Sequence, residues 1–247
     1  MGFSQAQSQY LEHIARCIRH LEAQAEVFER VAIRIHQSVS GGGVLHVFGS
    51  GHSHQIAEEL FHRAGGMVQV NAWLEDYLMP HAGPKQVGPL ERLSGVADVI
   101  LKKYEFKKGE VLLMASNSGI NATSVELAEK AKASGLFTVG VTSVTHSKSV
   151  PSRSGGKKLF EVADEVIDTG TPVGDACVKL KGLDLPISPL SGVIQLLSAQ
   201  ILATRVLEIF AEKGQEVPAF QSANTPGGDE RNKKWENQYA SRILFLR

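Results

Sequence analysis

"VLLMASNSGINATSV", residues 111–125, decides how this chain folds. The apolar run Val111–Ala115 has the length and composition of a buried strand. It stops at Ser116, Asn117, Ser118 and Gly119, and a helical pattern begins a few residues later. A short strand that feeds a helix through a tight turn is the building unit of an α/β sheet. In such sheets ligands bind outside the carboxyl ends of the strands. The turn is crowded with small polar side chains: Ser116, Asn117, Ser118, Asn121 and Thr123. Helix capping accounts for one of them, because one N-cap needs one side chain. An anion site accounts for all five. A helix N-terminus presents unpaired N–H groups and a partial positive charge, and small hydroxyls add donors without blocking close approach. Gly119 lets the backbone bend where a Cβ would clash.

A second turn has the same design. Residues 44–64, "VLHVFGSGHSHQIAEELFHRA", run from a strand (Val44–Phe48) through Gly49, Ser50, Gly51, His52 and Ser53 into a helix (Gln55–Ala64). Neither turn is a nucleotide fingerprint. G-x-x-x-x-G-K-[ST] is absent, the first turn lacks the third glycine of a dinucleotide loop, and no acidic residue ends the second strand.

Outward from these turns the pattern continues. Residues 5–39 read as one amphipathic helix, with Leu11, Ile14, Ile18, Leu21, Phe28, Val31 and Ile35 at helical spacing. Met67–Val70 reads as a strand, residues 72–90 as an irregular insertion with three prolines, and Leu90–Tyr104 as a helix. Ala122–Ala133 is a helix and Thr138–Thr142 a strand. A polar loop follows, and Val162–Ile167 is a strand or the end of a helix–strand pair. Residues 170–187 are a loop or an extra strand pair, Pro189–Phe210 a long apolar helix, and Arg231–Phe245 a final helix. Alternating strands and helices predict an α/β fold with a parallel sheet covered on both faces.

Composition narrows the function. Lys plus Arg and Asp plus Glu both number 26, so the net charge is zero and no nucleic-acid partner is expected. The two cysteines, Cys17 and Cys177, stand alone and form no metal knuckle or disulfide framework. No apolar run reaches the ~20 residues of a membrane span, and no signal pattern opens the chain, so a cytoplasmic protein without a membrane partner is expected. His52, His54 and Glu58 fall in a turn with no second cluster, so neither a metal nor a cofactor is expected.

The order strand, G-x-G-x-S, helix, strand, S-x-S-G, helix with "AEKAKASG", strand "FTVGVTS" resembles the sugar isomerase (SIS) domain over about residues 40–215. More narrowly, "GSGHSHQIAEELFHRAGG", "HSKSVPSR" and "SANTPGGDERN" resemble a bacterial SIS group, UPF0309, related to phosphoheptose isomerases. The resemblance implies a three-layer α/β/α sandwich, flavodoxin- or Rossmann-like, with one SIS domain over residues 1–247. Its parts are a helical arm (1–40), a phosphosugar-binding core (41–214) and a C-terminal tail and helix (215–247). It implies a sugar-phosphate ligand and a homodimer or homotetramer. By resemblance Ser53, Ser116, Ser118 and Asn121 fall at phosphate or sugar contacts, although the family has serine at the last. Ser50, Asn117 and Thr123 join them from the two turns.

Aldose–ketose isomerisation moves a proton between C1 and C2 through an enediol(ate), so it needs a base and gains from a second acid–base group. In phosphoheptose isomerases a glutamate of "AEEL" is the base. Here that word arrives one helical turn early, about 5 Å along the axis, and Arg63 stands where the base would fall. Glu59 is the expected base, Glu58 its neighbour, and Arg63 a partner for Glu59 or for substrate. The family's second group is a histidine on the late helix, which here carries none. His54 is the first choice to replace it, with His52, His62 and His146 as alternatives. Residues 145–158, with His146, Ser147, Lys148 and Arg153, read as a polar loop or a lid. The expected function is a sugar-phosphate isomerase. The alternatives are a non-catalytic phosphosugar sensor and an SIS-type lyase or etherase.

Overall fold

A computed structural model of the chain describes residues 2–247, so Met1 of the expected arm lies outside the described residues. Two helices, α1 (Gln5–Glu22) and α2 (Ala25–Ser40), lead into β1 (Leu45–Gly49) and α3 (Gln55–Leu60). Then come β2 (Val70–Trp73), α4 (Pro84–Arg92), α5 (Val96–Lys103), β3 (Val111–Ala115), α6 (Ala122–Ala133), β4 (Phe137–Thr142) and α7 (Val144–Ser149). They are followed by α8 (Leu159–Val162), β5 (Glu165–Asp168), a small hairpin of β6 (Ala176–Val178) and β7 (Ile187–Pro189), α9 (Ser191–Glu212) and α10 (Gly228–Tyr239).

Five parallel strands form the central sheet in the order β2-β1-β3-β4-β5. Period-2 alternation explains its two covers. Val111, Leu113 and Ala115 face a core shared with α2, α3 and α9, while Leu112 and Met114 face one shared with α5 and α6. All five β3 residues are buried, and full burial of each large aliphatic side chain favours folding by about 1.5–3 kcal/mol. The chain is therefore an α/β/α sandwich.

Several elements differ from their sequence reading for local reasons. The helix expected over 5–39 breaks at Ala23–Gln24. Gln24 leaves the helical path to pair with a strand end: its Nε2 donates to the Asp168 carbonyl (2.7 Å) and its Oε1 accepts the Asp168 N–H (2.9 Å). The helix expected to reach Ala64 stops at Leu60, where Phe61 is extended and His62 has φ 44°. Met67 bridges Ala219 of the C-terminal segment, and the sheet strand begins only at Val70. The insertion expected to be irregular holds α4, with Pro84 at its first position and Pro89 inside it. The final helix begins at Gly228, earlier than expected.

The expectation that no segment is apolar enough for a membrane span is also corrected. α9 is long and apolar enough to cross a bilayer by length and composition. Half of its apolar window is buried inside this fold, where it packs against α2 and α3.

Candidate functional site

The sheet order reverses direction between β1 and β3, and that point is where ligands gather in such folds. The register pairs Gly49 with Ala115, so both strands end level and both turns open on the same edge. The first turn closes only on glycine. A Cβ on Gly49 would lie 2.1 Å from the Ser53 carbonyl oxygen. Ser50 follows in extended conformation and Gly51–His54 form a 3-10 turn.

In the second turn the Ser116 hydroxyl accepts the Gly119 N–H (3.2 Å), and Gly119 sits at φ 60°. The Asn117 carbonyl accepts the Ser143 N–H (3.0 Å) and the Thr142 hydroxyl (3.1 Å). Its side-chain Oδ1 accepts the Thr171 hydroxyl (2.7 Å). Asn121 stands at the N-cap of α6, yet its side chain makes no cap hydrogen bond. Instead Nδ2 donates to Glu91 Oε2 (3.2 Å), and Oδ1 accepts Arg153 Nη1 (3.3 Å). Capping thus fails to explain the residue best placed to cap.

Between the turns lies a cavity of about 340 Å³, lined by Ser50, Gly51, His52, Ser53, Glu91, Ser116, Asn117, Ser118, Asn121 and His146. Six of the eight residues expected to bind ligand lie on that lining. The other two do not. Thr123 is fully buried and donates to the Leu90 carbonyl (3.3 Å), so it holds the end of α4. Arg63 lies beyond the end of α3 and pairs with Glu59.

The expected catalytic groups sit elsewhere. The Glu59 carboxylate accepts from Arg63 Nη1 and from Gln200 Nε2 (2.8 Å), and it is not among the lining residues. His54 is buried and turns back on its own loop, with Nδ1 against the Gly51 carbonyl and Nε2 3.3 Å from Glu58. Glu58 is exposed. The loop begins as α7 rather than as free coil. Ser147 is buried and Lys148 lies over the Phe160 ring (5.7 Å), while His146 lines the cavity and Arg153 reaches its rim through Asn121.

Glu91 is the residue that sequence reasoning missed. It supplies the only carboxylate on the lining, among the described residues. Burial pushes its pKa above the usual carboxylate range, while the Ser50 hydroxyl, Arg92 and Arg153 pull it back. Its signal in the sequence was weak: one glutamate after Pro89, assigned to the start of a helix. His146 enters from the first turn of α7. Its Nδ1 accepts the Gly174 N–H (3.2 Å), and burial, opposed by Asp175, lowers its pKa below the ordinary value. Among the described residues no group of three or more His, Cys, Asp or Glu side chains is placed to hold a metal. The cavity therefore offers small hydroxyls, backbone N–H groups, one carboxyl and two imidazoles, those of His52 and His146. Such a set can bind an oxyanion and move a proton beside it.

Comparison with known proteins gives the family. The SIS domain model matches residues 9–143. A UPF0309 protein of Caldanaerobacter subterraneus is 39% identical over 242 residues, 96% of this chain and 98% of its own. One of Halalkalibacterium halodurans is 39% identical over 219 residues, 88% of this chain and 90% of its own. A solved phosphoheptose isomerase from Francisella tularensis has a TM-score of 0.53 at 15% identity, covering 86% of this chain and 100% of that one. The NanR protein of Vibrio vulnificus, complexed with ManNAc-6P, has a TM-score of 0.51 at 14% identity, covering 95% and 69%. At those identities the structural likeness is one of fold. The family model spans more than half of the chain and the relatives align over nearly all of it: the chain belongs to the SIS domain family and, within it, to the UPF0309 proteins.

Proposed function

We propose that the cavity binds a phosphosugar and that the protein is a sugar-phosphate isomerase working through an enediolate. One observation carries the reading. Two hydroxyl-rich turns meet at the sheet's switch point around a cavity that also holds a carboxyl and two imidazoles. The N-terminus of α6 adds positive potential beside Asn121. The fold relatives support the ligand class, because one is a phosphoheptose isomerase and another was solved with ManNAc-6P. Ser53, Ser116 and Ser118 hold the phosphate in this reading, and Arg153 closes the rim.

A second reading, a phosphosugar sensor without chemistry, is favoured by one specific fact. The glutamate of "AEEL" is engaged by Arg63 and Gln200 rather than by the cavity. A thermal-shift panel of sugar phosphates, each with its free sugar, tests the shared claim. A phosphosugar at 100 times its dissociation constant should stabilise the fold by about 2.7 kcal/mol. Equal stabilisation by the free sugar would show that no phosphate site exists here. Solvent exchange of the C2 proton then separates isomerase from sensor.

A further inference from the structure

Glu59, the residue expected to act as base, has its carboxylate tied to two neighbours and does not line this cavity. His54, the expected second group, is spent on its own turn. The cavity nonetheless contains one carboxylate, Glu91, and two imidazoles, the exposed His52 and the half-buried His146, and of these His146 is the one fixed by a hydrogen bond to another element. We propose that Glu91 is the base and His146 the neutral electrophile of this site, replacing the helix-borne glutamate and the absent late-helix histidine. The proposal rests on the phosphosugar reading and names the chemistry within it.

Three observations carry it. First, the Glu91 carboxylate is held rather than loose. Asn121 Nδ2 donates to its Oε2 at 3.2 Å, and Thr123 fixes the preceding carbonyl of Leu90 at 3.3 Å. These bonds explain why Asn121 stands at an N-cap without capping. Its side chain joins the carboxylate to Arg153 and keeps the α4 end beside the phosphate turn. Second, the tautomer of His146 follows from its partner. Nδ1 accepts the Gly174 N–H, so in the neutral ring the proton sits on Nε2 and that nitrogen is a donor. Third, both environments move the two groups toward these roles. Burial makes the Glu91 carboxyl a stronger base and keeps the His146 ring neutral. A carboxylate base paired with a neutral imidazole suits proton transfer beside a carbonyl.

The step balances within the site. The Glu91 carboxylate takes the proton from C2 of the open-chain aldose phosphate. The C–H electron pair becomes the C1=C2 double bond, and the carbonyl pair moves onto O1, where the His146 Nε2–H meets it. The O2 proton passes to O1 as the C2 carbonyl forms, and Glu91 returns its proton to C1.

The test uses a phosphosugar found to bind the full chain. It follows loss of the C2–H signal in deuterated buffer by proton NMR and measures affinity by calorimetry. Glu91→Gln should slow exchange by about 10²–10⁴-fold with affinity within a few-fold of wild type. Glu91→Asp, which keeps the carboxyl but withdraws it, should recover part of that rate and so separate lost chemistry from lost folding. His146→Gln should slow exchange by about 10²-fold or more, again without loss of affinity. Exchange that survives Glu91→Gln, or that is lost in Glu59→Gln instead, overturns the assignment. A wild type that binds phosphosugar without exchange overturns it too, and leaves binding intact. A wild type that binds none overturns the phosphosugar reading and the assignment with it.

Discussion

Replacing Glu110 by glutamine should remove about 3 kcal/mol of folding stability at neutral pH. Glu110 precedes β3 at the end of the sheet opposite the cavity, and its side chain is 4% exposed. Its Oε1 accepts the Val44 N–H (3.1 Å) and Arg242 Nη2 (2.7 Å). Its Oε2 accepts the Lys107 N–H (2.6 Å) and His46 Nε2 (3.0 Å). His46 Nδ1 in turn accepts the Trp73 indole N–H (3.1 Å), so the neutral ring carries its proton on Nε2. Burial alone would raise the Glu110 pKa, but the bonds from His46, Lys107 and Arg242 win and hold it at about 2 against an ordinary 4.5. That gap of about 2.5 pH units, at 1.36 kcal/mol each, is about 3 kcal/mol. The figure agrees with the ~3–5 kcal/mol lost when one partner of a buried ion pair is removed.

The folded pKa is depressed, so the stabilisation is fully present above pH 4.5 and is lost as pH falls toward 2. Urea unfolding of wild type and Glu110→Gln at several pH values measures the gap. It should be widest near pH 7, narrower by roughly 1 kcal/mol at pH 4 and by roughly 2 kcal/mol at pH 3. A gap below about 1 kcal/mol at pH 7, or one that does not change with acid, would refute the network's role in tying the C-terminal Arg242 to the sheet.

Three further outcomes are expected. Gly119→Ala should destabilise by about 1–3 kcal/mol, because φ is 60° and the new Cβ would stand 3.0 Å from Thr142 Oγ1 and 3.1 Å from Leu159 Cβ; chemical denaturation checks it. Thr123→Val removes the bond to Leu90 at a cost of about 1 kcal/mol and should slow C2 exchange more than it weakens phosphosugar binding. The exposed apolar residues Phe3, Leu11, Leu185 and Val193, near or on α1, the hairpin loop and α9, should be covered by a second copy, so light scattering should give a mass above the 26.7 kDa chain.

The fold was largely legible because its signals are local. Val111–Ala115 and Ala122–Ala133 were read at their observed bounds, since an unbroken apolar run and a helical period need no tertiary information. The six residues expected to bind ligand that line the cavity were legible for the same reason. What escaped depends on contacts distant in sequence. Gln24 ends a helix only because Asp168 waits 144 residues away. Glu91 enters the cavity only because α4 lies against α6, an arrangement that no spacing encodes. Glu59 falls outside the cavity lining for the converse reason. Its helical position matched the family's word, but Gln200, on a helix far along the chain, takes its carboxylate.

The central claim is that the two turns bind the phosphate of a sugar phosphate, and a crystal structure with the best-binding phosphosugar tests it most directly. The account predicts phosphate oxygens within about 3 Å of the Ser53, Ser116 and Ser118 hydroxyls, with the sugar's C1–C2 bond between Glu91 and His146. A phosphate seated instead at the opposite end of the sheet, against Arg34, Lys107 and Lys108, would contradict it.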